Sequence, residues 1–266
     1  LFNLFSDIGW KLNLHYTVYF GIIAFIQVSF FFYSFKNEKF LFPFLTFLLF
    51  TNNEWGFWMN GIRQALAMCI WIYSLKCIEK NKLWRYIFLV VIATLFHKSA
   101  IILIIFYPIL RSGKDYFKSI PLQLVLLTTA FVFKTLFSDL IFRFEPLINS
   151  YSNLMGDDAY KFYNVEWLMG NIIQREGTGL AYLFKIILNI LIILYSKKLK
   201  LFYSSRRFNI MYFFFIIGLL TTYMFPIGAV TFTRPFRYFF IFQSIIYAYF
   251  LFYLNKTKIR GSVLGN

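Results

Sequence analysis

The sequence predicts an all-α protein, a polytopic bundle of transmembrane helices, and three observations carry that expectation. Apolar runs near 20 residues long recur from end to end, and about 20 apolar residues in a helix span the hydrocarbon core of a bilayer. Only 14% of the residues are charged, where soluble domains carry about 25%, and mean hydropathy is +0.65. The alternating segments of about ten residues that build membrane β-barrels are not seen.

The elements follow in order. Residues 1–13 mix Asp7, Gly9, Trp10, Lys11 and Asn13 and read as interfacial, with Trp10 at headgroup depth. Residues 14–35 are the first clear span, closed by the tight turn Lys36-Asn-Glu-Lys39. Residues 40–58 are a second, ending in Asn52-Asn-Glu-Trp55. Residues 62–78 are a third, with Gly61, Ala65 and Cys69 on one stripe where another helix can approach closely. Later spans are 119–142, 179–196, 208–226 and 235–254. Between the first two of these lies a long polar loop, 143–178.

The run 84–110 is ambiguous, because His97 and Lys98 sit inside it. As one helix it would be about 40 Å long, long for an apolar core of about 30 Å. The alternative is two short arms, 84–96 and 99–110, turning at His97-Lys98 in protein or in a watery cavity. Charge decides between them. With two arms, the connections 36–39, 76–85, 111–118, 197–207 and 255–260 share one side and hold 17 of the 27 Lys and Arg, against three acids, Glu38, Glu79 and Asp115. That is the positive-inside pattern of a cytoplasmic face. With one helix, every cluster after residue 110 would change sides. The expectation is therefore about nine membrane segments, including a two-arm hairpin at 84–110, with 143–178 an extracytoplasmic loop. The chain, 1–266, reads as a single integral membrane domain. Its abrupt start, Leu1-Phe2-Asn3, suggests that further sequence precedes it.

Composition also excludes function classes. The net charge of +16 would suggest nucleic acid in a soluble protein. Here the cations sit between apolar runs, so no nucleic-acid partner is expected. Cys69 and Cys77 lie on one helix and form no metal or disulfide framework. With two His and no zinc or phosphate-loop motif, no metal and no cofactor are expected.

What remains is a set of cations in costly places. Arg63 opens an apolar run, His97 and Lys98 interrupt one, and Arg234 and Arg237 open the last span. Cations in hydrocarbon face a protein interior, a watery cavity or an interface. Arginine forks match phosphate oxygens, so Arg63, His97, Arg234 and Arg237 are read as an anion site on the outer face. Simple snorkelling is the bland alternative, and the better one for Lys134 and Lys185. His97 either takes a proton or binds phosphate, since histidine ordinarily titrates near neutrality, or it only holds the turn. Ser99 caps the second arm. Gln64 meets sugar or another helix. Asp7 and Glu54 are outer carboxylates that could serve as base. In the 143–178 loop, Asp157, Asp158 and Glu166 stand among Tyr160, Tyr163 and Trp167, a mixture that suits a sugar-binding lid or an interfacial helix.

These motifs resemble a known family. Asn60-x-Ile-Arg63-Gln64-x-Leu-Ala67, then Phe96-His97-x-Ser99-Ala100 before an apolar run ending in Tyr107, is similar to the EpsG-like family of bacterial exopolysaccharide, capsule and O-antigen clusters, regarded as Wzy-type polymerases. Arg234-x-x-Arg237-Tyr238 and Asp7-x-Gly9-Trp10 resemble its late and early motifs. The likeness runs from about residue 7 to about residue 250. An upstream acidic, Tyr-containing segment usual in the family is not in this sequence.

The resemblance implies a glycosyltransferase of the bacterial inner membrane. It would join undecaprenyl-pyrophosphate-linked oligosaccharide repeat units at the outer face and release undecaprenyl pyrophosphate. Arg63, His97 and Asp7 would be catalytic, and Arg63, Gln64, Lys98, Arg234, Arg237 and Tyr238 would bind pyrophosphate or sugar. A chain-length regulator and a flippase of the same pathway are the implied partners. Two other readings stay open. A flippase of the same lipid-linked sugar would place charges at mid-membrane in both halves and show internal repeats. An acyltransferase modifying the glycan would often take its acyl donor from the cytoplasm, where the loops are short, basic and without His.

Overall fold

A computed structural model describes residues 2–143, 179–225 and 233–264. The proposed lid, with Asp157, Asp158, Glu166 and their aromatic neighbours, lies outside the described residues. Every regular element among those described is helical, and the protein is a multi-pass membrane protein.

The helices are α1 (Phe2–Lys11), α2 (Tyr16–Ser34), α3 (Phe42–Thr51), α4 (Glu54–Asn60), α5 (Ile62–Glu79), α6 (Leu83–Phe96), α7 (Phe106–Arg111), α8 (Ile120–Arg143), α9 (Leu180–Leu194), α10 (Ser196–Tyr203), α11 (Arg206–Met224) and α12 (Arg237–Leu264). Three 3-10 segments, Lys39–Leu41, Lys98–Ile105 and Arg234–Phe236, join them. The chain forms two compact units. The first takes Leu1–Tyr116, Leu199–Phe213 and Ile241–Asn266, and the second Phe117–Lys198 and Phe214–Phe240.

Four segments among the described residues are long and apolar enough to cross a bilayer: Tyr16–Ser34, Ile120–Phe137, Arg206–Met224 and Arg234–Thr257. The pair α9 and α10, bent by 59°, makes a fifth if taken as one span. The count of about nine segments is larger for three local reasons. The run 40–58 breaks at Asn52-Asn53, where Asn53 adopts the left-handed conformation at φ 58°, which asparagine tolerates better than most residues. Its pieces have 10 and 7 residues. The run 62–78 is one helix of 18 residues, but it carries Arg63, Lys76 and Glu79. The run 84–110 is divided at His97.

That division is a reversal of direction. The Tyr86 hydroxyl donates to the Leu103 carbonyl at 2.6 Å, and the Tyr86 and Tyr107 rings lie 5.4 Å apart. In one straight helix, residues 86 and 103 would be about 25 Å apart. The return arm is mostly 3-10 helix, eight residues long, where runs beyond 3–4 residues are uncommon. At about 2.0 Å per residue it reaches further than an α-helix of equal length, which helps the six residues from His97 to Leu103 come back to the level of Tyr86.

Unit 1 is built around α5, buried from Gln64 to Ile72 and packed against α2 and α6. The rise from Gln27 beside Ile62 to Tyr33 beside Tyr73 shows that α2 and α5 run parallel, while α6 returns antiparallel after the short connection Lys80–Lys82. Trp58, Trp71, Tyr86, Phe31 and Phe35 are fully enclosed. Between helices in lipid, cohesion comes from such close packing rather than from burial against water. The opposite faces of α2 and α6 leave Val18, Phe25, Phe88 and Leu95 exposed, as suits side chains that meet lipid.

One end of unit 1 is tied by two arginines. Arg207 donates to Glu38 at 2.6 Å, to Glu79 at 2.7 Å and to the Ser34 carbonyl, and the Tyr249 hydroxyl donates to Glu38. Arg206 donates to the carbonyls of Glu79 and Arg111 at 2.9 and 2.7 Å and to Asn81 at 3.1 Å. Lys200 and Asp115 pair at 2.8 Å. The connections near residues 38, 80, 111 and 206 therefore share one end. The hairpin at His97 makes this possible.

Unit 2 is held by aromatic contacts and a close crossing. Asn189 donates to the Tyr223 hydroxyl at 2.9 Å, and Phe131 stacks on Tyr223 at 4.6 Å. A Cβ on Gly218 would fall 2.5 Å from the Phe239 carbonyl oxygen, so only glycine permits α11 and α12 to approach this closely there.

Candidate functional site

His97 ends α6 because its backbone leaves the helical region, at φ −146° and ψ 112°. Its N–H still donates to Ala93 at 3.0 Å, and its carbonyl accepts from Ala100 at 2.9 Å. The peptide is thus satisfied on both sides of the turn, which backbone away from water requires. The imidazole is half-buried and Lys98 is exposed.

Arg63 stands on the first turn of α5, which starts after Gly61. That glycine ends α4 and caps α5 at once, and a Cβ there would meet the Phe57 ring at 2.8 Å. Gln27 reaches across from α2 and donates to the Ile62 carbonyl at 3.1 Å. Arg63 is exposed, whereas Gln64 is buried, 7% exposed.

The Trp71 indole N–H donates to the Tyr86 hydroxyl at 3.1 Å, which sets the register of α5 and α6. His97 lies eleven residues after Tyr86, and Asn60 eleven before Trp71. Equal rise along antiparallel helices then brings the His97 turn level with the Asn60-Gly61 junction, one turn from Arg63. Asp7 belongs to the same end. Phe5 of α1 packs on Phe96 at 6.0 Å, and Ser6 bonds the Tyr19 hydroxyl at 2.9 Å. Gly9 lies against the Tyr19 ring, where a Cβ would come within 2.9 Å. Asp7 is exposed on that helix.

Unit 1 therefore gathers Asp7, Arg63, Gln64, His97 and Lys98 at one end, opposite the Arg206-Arg207 end. Helix starts favour anions, and Arg63 adds a full charge to that of α5. The end combines cations, an imidazole and a carboxylate, which suits binding of a phosphate and transfer of a proton.

Arg234, Arg237 and Tyr238 belong to unit 2. Arg234-Pro-Phe236 is a 3-10 turn, and the Arg237 N–H donates to the Arg234 carbonyl. Phe236 stacks on Phe225 at 5.8 Å. Arg234 is exposed and Arg237 half-buried. Tyr238 is enclosed, 0% exposed, so its ring anchors the turn from within the core. Lys134 lies over the Tyr182 ring at 6.0 Å, and Lys185 is exposed. Among the described residues, no three His, Cys, Asp or Glu side chains gather as a metal site.

Unit 1 also holds a polar group that joins residues far apart in sequence. Asn52 donates to Ser244 at 3.0 Å, and Ser244 donates to Glu54 at 3.1 Å. Glu54 is thereby held by a residue 190 positions away. The only sequence signal was polarity inside apolar runs.

The model of the EpsG family matches residues 1–265. No curated protein and no solved structure matches the chain.

Proposed function

Because the chain belongs to the EpsG family, the family of Wzy-type polysaccharide polymerases, we propose that it joins lipid-linked oligosaccharide repeat units into a surface polysaccharide. The donor is a growing glycan on undecaprenyl pyrophosphate, and the acceptor is one new repeat unit on the same carrier. An acceptor hydroxyl oxygen bonds to the anomeric carbon of the donor. The bond from that carbon to the pyrophosphate breaks, undecaprenyl pyrophosphate leaves with the electron pair, and a base takes the hydroxyl proton.

The observation that supports this reading is that the His97 turn stands level with the Arg63 end of α5. His97 is assigned the proton, with Asp7 as the alternative carboxylate. Arg63 and Lys98 are assigned the pyrophosphate, where negative charge develops as the bond breaks. Gln64, mostly buried beside Arg63, orients it or a sugar hydroxyl. Arg234 and Arg237 are assigned the same class of ligand, a phosphate, with Tyr238 fixing their turn. Protein cations stabilise such a leaving group without a metal, and no nucleotide sugar is needed.

The test is genetic and chemical. Arg63→Ala or His97→Ala in the full-length gene leaves single-repeat product on a glycan gel, with protein level retained. Full-length chains from both variants would sink the assignment.

A further inference from the structure

At the Arg206-Arg207 end, unit 1 contains a cavity of about 480 Å³ lined by Tyr33, Lys36, Tyr73, Lys76, Glu79, Lys80, Lys82, Arg85 and Arg207 among others. Its charge is strongly one-sided. The acid in its wall, Glu79, is taken by Arg207, which also takes Glu38. Lys76 is held over the Tyr73 ring at 3.0 Å, and Lys36 over the Tyr33 ring at 4.6 Å. Among the described residues, Lys36, Lys76, Lys80, Lys82 and Arg85 form no ion pair. Five like charges around one cavity repel one another, and Glu79 in its wall is already paired with Arg207.

A second, apolar groove of about 520 Å³ adjoins it, lined by Ser29, Phe30, Phe32, Tyr33, Lys36, Lys39 and Phe42. The cavity and the groove share Tyr33 and Lys36. The groove runs along α2, where Ser29 and Tyr33 are exposed, so it opens towards lipid. Trp84, 80% exposed beside Lys82 and Arg85, marks headgroup depth at this level. A cationic pocket at headgroup depth continuing into an apolar groove has the shape and charge of a phospholipid site.

We propose that this cavity and groove bind an anionic phospholipid of the leaflet at the basic end, the cytoplasmic one by the positive-inside rule. The phosphates lie among Lys36, Lys76, Lys80, Lys82 and Arg85, and an acyl chain lies along Phe30, Phe32 and Phe42. Five cations exceed the charge of one phosphodiester, so a diphosphatidylglycerol, with two, is the preferred headgroup. The site stands at the opposite end of unit 1 from Arg63 and His97, and it does not depend on the polymerase reading.

The test is native mass spectrometry of the detergent-solubilised protein titrated with diphosphatidylglycerol, phosphatidylglycerol, phosphatidylcholine or inorganic pyrophosphate. The two-phosphate lipid binds most tightly, and pyrophosphate does not displace it. Lys82→Gln/Arg85→Gln, both at exposed positions, weakens its binding about 30-fold, the effect of two cations near a membrane surface. The matched pair Arg111→Gln/Lys114→Gln, outside the cavity, changes it less than about twofold. Equal loss in both pairs would reduce the effect to general surface charge and overturn the site. Displacement by pyrophosphate would overturn the lipid in favour of a soluble phosphate.

Discussion

The Tyr86 hydroxyl accepts from the Trp71 indole and donates to the Leu103 carbonyl at 2.6 Å, so α5, α6 and the return arm meet at one oxygen. All three groups are enclosed, since Trp71, Tyr86 and Leu103 are each 0% exposed. This oxygen lies inside the hairpin that turns the chain back at His97. It is also the point from which the level of His97 against Arg63 is measured.

Tyr86→Phe removes that oxygen and leaves a buried donor and a buried carbonyl without their partner. The expected cost is about 2 kcal/mol, read as a lower melting temperature in detergent. Because the register of the hairpin loosens, the polymer yield expected from the proposed function should fall as well. An unchanged melting temperature would show that the hairpin is held by ring packing alone.

Arg207→Ala leaves Glu38 and Glu79, 16% and 21% exposed, without their shared cation. Removing one partner of a buried pair costs about 3–5 kcal/mol, and the partial exposure here places the cost near the lower figure. The double variant Arg207→Ala/Glu38→Gln should recover part of the loss. Thermal unfolding of both variants in detergent checks this. No recovery would mean that the lost bond to Ser34, rather than the stranded charge, sets the cost.

Gly218→Ala places a methyl group 2.5 Å from the Phe239 carbonyl. The neighbour is backbone and has little room to move, so overpacking of about 1–3 kcal/mol follows. Gly21→Ala, where nothing lies within 4 Å, is the control and should be neutral or slightly stabilising. Comparable melting temperatures for the two variants would refute the close crossing.

Lys98→Cys and Lys82→Cys lie at opposite ends of α6 on exposed positions, and the native Cys69 and Cys77 are buried. A membrane-impermeant maleimide should label Lys98→Cys in intact cells and Lys82→Cys only after permeabilisation. Labelling of Lys82→Cys from outside would reverse the orientation drawn from the charge pattern.

Arg63→Lys separates charge from geometry. A lysine keeps the cation but loses the planar fork that binds two phosphate oxygens together. Polymer yield should lie between those of the wild type and Arg63→Ala. Equal yields for Arg63→Lys and wild type would make Arg63 a point charge only.

Helix content, the positions of the long spans and the common side of the basic connections were all legible in the residue string. They depend on composition and on the period of apolar residues, which are local properties. The reversal at His97 was legible only through charge, because a lysine count on each side of the membrane is global information carried by single residues. The break at Asn53 was not, since a left-handed asparagine leaves no mark on hydropathy. Nor was the Asn52-Ser244-Glu54 group, which joins residues from α12 to the break before α4.

The sequence by itself determined that the chain is a helical membrane protein, that it resembles the EpsG family, and which cations are costly enough to need a purpose. Only the tertiary structure decided that the His97 turn stands level with the Asn60-Gly61 junction, one turn from Arg63, and that Arg207 takes Glu38 and Glu79 at the other end while five cations surround a cavity there. Those facts depend on which side chains meet across helices. Such meetings are set by packing and register, and a one-dimensional pattern of polarity carries neither.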